Sequence, residues 1–121
     1  MTADYWKRTI KRETKAVGTY QKAFDNLIDA LSKILAERDR VYEQYIEEGA
    51  VAIIDKTSDR GAVNSAKNPL LVVWTELNRD ALAYWRDLGL TPAGLKRINE
   101  DAMQKKGKGS ALEEALKNLG T

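Results

Sequence analysis

The chain has neither cysteine nor histidine. Disulfides, thiolate zinc sites, a cysteine nucleophile and an imidazole general base are therefore excluded. A metal site would need oxygen ligands alone, and there is no Asp-x-Asp-x-Asx-Gly calcium loop. A Gly-x-x-x-x-Gly-Lys-Ser/Thr phosphate loop is also missing. Gly107-Lys108 comes nearest, but Ala102 stands five positions before Gly107, and Gly109 follows the lysine. Neither metal nor cofactor is expected. No run of about 18 apolar residues exists to cross a membrane. The N-terminal Met-Thr-Ala-Asp-Tyr-Trp-Lys-Arg lacks the apolar core of a secretion signal, so an intracellular protein is expected.

What remains is one folded domain's worth of chain, 121 residues with 31% charged and 43% hydrophobic. The net charge of +2 is unevenly spread. Six bases (Lys7, Arg8, Lys11, Arg12, Lys15, Lys22) stand against one acid (Glu13) between Tyr5 and Lys22. Ala23 to Arg60 carries five bases and nine acids, and Gly94 to Gly109 five bases and two acids. Basic ends around an acidic middle suit an oligomer that offers cationic surface to a polyanion. The plainer reading is that each block is a solvated helix face.

Hydrophobic spacing predicts a mainly α protein. Tyr5 to Ala16 reads as a short basic helix with Asp4 as N-cap and Trp6 and Ile10 on one face. Gly18 ends it, and Thr19 is expected to cap the next. From Tyr20 to about Glu48, Tyr20, Leu27, Ile34 and Val41 recur every seven residues. Phe24, Leu31, Arg38 and Tyr45 form a second seam with one polar intruder. Such a helix would run roughly 40 Å, and Glu37 to Arg40 is the expected place for a kink or a solvent-exposed turn. After Gly49, Ala50 to Ile54 and Ala62 to Asn64 flank a turn-rich stretch and predict a small β-hairpin.

Asn68-Pro69 predicts the start of a third helix striped by Leu70, Trp74, Leu77, Ala81, Tyr84, Trp85 and Leu88, closed by Gly89. Thr91-Pro92 opens another, running to about Gln104. The resulting architecture is a long antiparallel helical hairpin with a small β-hairpin at its tip, flanked by a basic N-terminal helix and C-terminal helices. Residues 1–104 read as the oligomerisation and DNA-binding domain, and 105–109 as a flexible basic linker. Residues 110–121 read as a tail helix, opened by the capping box Ser110-Ala-Leu-Glu113.

A Leu or Trp at helical spacing is first a packing residue. A two-helix hairpin has little interior, however, and Phe24, Leu27, Leu31, Ile34, Leu70, Trp74, Leu77, Tyr84, Trp85 and Leu88 offer more apolar area than it can hide. Self-association through these stripes is expected. Lys7 and Lys11 form one row on the first helix, and Arg8, Arg12 and Lys15 form another. Repeated around a ring and joined by Lys22, they would form a cationic rim for phosphate. Lys96 and Arg97 lie near a helix N-terminus that also attracts phosphate. Carboxylate pairs such as Glu47/Glu48 and Asp25/Asp29 lack a catalytic setting, so the chain is not expected to be an enzyme.

The run Lys67-Asn-Pro-Leu, Leu77-Asn-Arg-Asp-Ala-Leu82 and Tyr84-Trp-Arg-Asp-Leu-Gly-Leu-Thr-Pro-Ala-Gly-Leu-Lys-Arg-Ile98 resembles the closing segment of phage terminase small subunits. Weaker likeness extends back over Gly18-Thr-Tyr, Ala36-Glu-Arg-Asp39 and Glu48-Gly49. The resemblance implies a ring oligomer in the cytoplasm of an infected or lysogenic bacterium. That ring would bind double-stranded viral concatemer DNA and hand it to the large terminase subunit, which carries the ATPase and nuclease. Many members place a helix-turn-helix domain before the hairpin. Here about 18 residues precede the long helix, so DNA contact is expected from the basic N-terminal helix together with the start of the long one, or from the ring surface.

Leu112, Leu116 and Leu119 on the tail helix are the expected dock for the large subunit. Two rival readings stand beside this one. The first is a dimeric helix-turn-helix-like regulator with residues 92–104 as recognition helix. The second is a structural phage adaptor without DNA contact.

Overall fold

A computed structural model describes residues 1–103 and Leu116. It contains α1 (Ala3–Val17), a 3-10 turn (Lys22–Phe24), α2 (Asp25–Glu47), β1 (Ile53–Thr57), β2 (Val63–Lys67) and α3 (Pro69–Asp87). A further helix, α4, follows over residues 92–103. The expected architecture is present: α2 and α3 pack against each other as the long hairpin, and the two strands join them. α1 packs along α2. No described helix is long and apolar enough to cross a membrane.

Several local expectations need correction. Thr2, not Asp4, caps α1, its hydroxyl oxygen accepting from the Tyr5 N–H at 3.2 Å. Gly18 does end that helix in the left-handed region (φ 79°). Thr19 caps nothing; it is buried, and its hydroxyl donates to the Leu88 carbonyl at 2.7 Å. The Thr19 and Tyr20 N–H groups both turn back to the Thr14 carbonyl. α2 consequently starts only at Asp25, after the 3-10 turn.

α2 is one unbroken helix through residues 37–40, so no turn interrupts it there. The strands lie later in sequence than expected because the chain is still turning after α2. Gly49 and Ala50 both have positive φ (98° and 55°), and pairing begins at Ile53↔Lys67.

Asn68 joins hairpin to helix. Its side-chain oxygen accepts from the Leu70 N–H at 3.0 Å, while its amide nitrogen donates to the Val51 carbonyl at 2.9 Å. Pro69 fills the first helical position, where a missing N–H costs nothing.

The core is Ile10, Ile28, Leu31, Leu35, Ala81 and Leu88, with Trp6, Tyr20, Phe24, Leu27, Ile34, Tyr84, Trp85 and Leu90 packed around it. It therefore gathers α1, the first half of α2 and the last half of α3, at the end away from the strands. Toward the strands Val41 is the one buried hydrophobic residue among those described, and Tyr42, Ile46, Val51, Ile53, Val63, Val72 and Val73 are exposed.

The Gly-Leu-Thr-Pro-Ala-Gly segment is a packing device. Gly89 has φ 72°, and a Cβ there would lie 2.8 Å from Thr19 Cγ2 and 2.9 Å from Ile98 Cδ1. At Gly94 a Cβ would overlap the Arg86 carbonyl oxygen and sit 2.9 Å from its carbon. α4 therefore crosses α3 with backbone against backbone. The Thr91 hydroxyl oxygen accepts from the Gly94 N–H at 3.1 Å and caps α4.

Candidate nucleic-acid interface

α1 is amphipathic because its apolar and polar residues separate at the helical period. Thr9, Ile10 and Thr14 are buried. The Thr14 hydroxyl donates to the Ile10 carbonyl at 2.9 Å, so this buried polar group is satisfied within its own helix. Trp6 anchors the N-terminal half. Its indole N–H donates to Asp39 at 2.7 Å, and its ring meets Trp85 edge-on at 6.5 Å. The Arg38 guanidinium lies 5.5 Å from the Trp6 ring and donates to both Asp39 and Asn78. This explains the polar intruder of the heptad seam. Arg38 sits where α1, α2 and α3 meet, with the Asn78 amide nitrogen left as a buried donor without a partner in the described residues.

The two basic rows of α1 have different surroundings. Lys7 pairs with Asp29 at 3.7 Å and Lys11 with Asp25 at 3.8 Å, both acids on α2. Asp25 also accepts the Tyr20 hydroxyl at 2.9 Å. The ammonium groups of Lys11 and Lys15 lie 5.6 and 5.0 Å from the Tyr20 ring centre. Arg8 and Arg12 are exposed and form no ion pair with any described residue, and Lys22 is exposed on the 3-10 turn. The hydrogen bond and charge of Lys33, reinforced by Lys7, hold the Asp29 carboxyl below its ordinary range.

At the other basic segment Lys96 stands 4.0 Å from Glu100 and Arg97 3.8 Å from Asp87, so nearby carboxylates offset both charges. Sequence reading missed Tyr20 as a platform for two lysines. It also missed the division of the α1 rows, since the acids responsible are more than ten residues away.

The stripe residues are mostly consumed inside the protomer. Leu31 and Leu88 are fully buried, and Phe24, Leu27, Ile34, Tyr84 and Trp85 pack on the same core. Trp74 lies against Tyr42 at 5.6 Å, and Leu70 and Leu77 are half-buried. Leu116 is exposed; Leu112, Leu119, Gln104 and the linker lie outside the described residues.

A family model described as phage terminase, small subunit, matches residues 3–105. No curated protein and no solved structure matches the chain.

Proposed function

The chain belongs to the phage terminase small-subunit family, and we propose that it is the ring-forming, DNA-recognising component of a genome-packaging motor. ATP hydrolysis and cleavage reside in the large subunit; this chain supplies recognition and assembly. The observation that carries the DNA contact is the outward row of α1, where Arg8 and Arg12 are exposed without a carboxylate partner among the described residues. Lys15 and Lys22 extend the same basic surface. Phosphate neutralisation by such a row, repeated in every copy, supplies affinity through counterion release.

Assembly rests on where apolar surface is left over. Tyr42 and Ile46 on α2, Val72 and Val73 on α3, and Ile53 and Val63 on the hairpin remain exposed, all toward the strand end. A second copy covering this band would supply the interior that the protomer lacks there. The interface thus moves away from Leu31 and Leu88 and toward the tip, with Leu70, Trp74 and Leu77 at its margin.

Native mass spectrometry with and without duplex DNA tests both halves. A closed oligomer larger than a dimer is expected, along with DNA adducts that Arg8→Gln with Arg12→Gln removes. A dimer alone would favour the helix-turn-helix regulator, and an oligomer without salt-dependent DNA binding the structural adaptor. The tail is proposed to dock the large subunit. Deleting residues 110–121 should abolish stimulation of the large-subunit ATPase and leave the oligomer intact.

A further inference from the structure

Asp25 and Asp29 stand one helical turn apart on α2, opposite Lys7 and Lys11 one turn apart on α1. Each carboxylate also has a second partner: Asp25 accepts the Tyr20 hydroxyl at 2.9 Å, and Asp29 faces Lys33 at 3.0 Å. Their positions therefore do not depend on the α1 lysines. All four charged side chains are about half exposed, so the pairs themselves stabilise little.

Their effect on a polyanion is larger than their effect on stability. An unpaired lysine that moves onto a phosphate releases the cation condensed there, and this release drives binding. A lysine held against a carboxylate presents little net charge to a phosphate, so it adds little to that release. The carboxylate then also faces the phosphate across a short gap, where like charges repel.

Resting on the reading of α1 as the DNA contact, we propose that Asp25 and Asp29 are antagonists of DNA binding. They withdraw Lys7 and Lys11 from the phosphate count and leave each protomer the Arg8 and Arg12 row. Contact is kept weak in each protomer, and retention depends on several copies engaging at once. A ring that must hold DNA and still pass it on needs weak contacts of this kind.

The experiment is fluorescence anisotropy of a labelled duplex with the full chain, read across a salt series. Asp25→Asn with Asp29→Asn should steepen the slope of log affinity against log salt by about 0.9 for each lysine released, up to about 1.8 per engaged protomer. Glu43→Gln with Glu47→Gln removes the same charge from exposed positions at the far end of α2 and should leave the slope unchanged. Lys7→Gln with Lys11→Gln should have little effect in the wild-type background and should restore the wild-type slope in the Asn background.

An unchanged slope in the Asp25/Asp29 variant overturns the proposal. So does a Lys7/Lys11 variant of the otherwise wild-type chain that loses as much slope as Arg8→Gln with Arg12→Gln, an arm that needs no change at the aspartates. If the Arg8/Arg12 variant binds DNA like wild type, the underlying reading of α1 fails instead.

Discussion

Replacing Gly94 with alanine sets two effects of opposite sign against each other. Gly94 lies in the first turn of α4, and an alanine in a helix interior is favoured over glycine by about 0.8–1.0 kcal/mol, which is an upper bound for this position. Propensity alone therefore predicts a more stable protein. The tertiary structure predicts the reverse. The added Cβ would overlap the Arg86 carbonyl oxygen, with the carbonyl carbon at 2.9 Å and Cα at 3.0 Å. All three are backbone atoms of α3, so no side-chain rotation relieves the clash and α4 has to move away.

Overpacking of this kind costs about 1–3 kcal/mol, and displacement of α4 also disturbs the contact of Ile98 with the Gly89 region. Overlap with a backbone atom puts the cost at the upper end of that range, so sterics should win with a net loss of about 2 kcal/mol once propensity is subtracted. With a urea dependence of about 1–3 kcal/mol per molar, the midpoint should fall by about 1 M. Urea titration followed by tryptophan fluorescence reads this directly, and Trp85 lies on α3 one residue before Arg86. Gly18→Ala is the comparison. Nothing lies within 4 Å of its Cβ position, so only the strain of φ 79° remains, about 1 kcal/mol. A Gly94→Ala protein as stable as wild type, or more so, would refute the backbone-on-backbone crossing.

Thr19→Val keeps the shape but leaves the Leu88 carbonyl without its 2.7 Å donor. It should cost about 1–3 kcal/mol by urea unfolding, and a loss below about 0.5 kcal/mol would show that the contact contributes little. Trp6→Phe keeps the ring contact with Trp85 but removes the donor to Asp39. We expect a loss of about 1 kcal/mol, because the acceptor is charged but only part-buried. Hydrogen exchange should then show α1 opening more often.

Asp29 is depressed from its ordinary value of 3.8, chiefly by Lys33, so its stabilisation is present above that value and lost as pH falls through the lower folded-state pKa. Asp29→Asn should lower the melting temperature slightly at pH 7, where the charged carboxylate contributes, and make less difference as the pH falls. Below about pH 4 the wild-type and variant curves should converge. Divergence that grows on acidification would contradict the assignment.

Sequence by itself determined the element types and most of their ends. Seven-residue recurrence, Asn68-Pro69, Gly89 and Thr91-Pro92 act over a few residues, where backbone geometry and capping decide the outcome, and α3 and α4 start where they predict. Local rules failed where a side chain had a distant partner. Thr19 has the composition of a cap but donates to Leu88, 69 residues on. Arg38 reads as a break in an apolar seam, yet it joins three helices.

Only the tertiary structure decided which surfaces remain available. The same apolar stripes could have served an interface or a core, since burial depends on what α1 covers. α1 covers the end of the hairpin away from the strands and leaves the tip bare. Likewise the charge of α1 is legible residue by residue. The pairing of Lys7 and Lys11 follows from α2 placing Asp29 and Asp25 opposite them, because electrostatic pairing depends on distance through space and not along the chain.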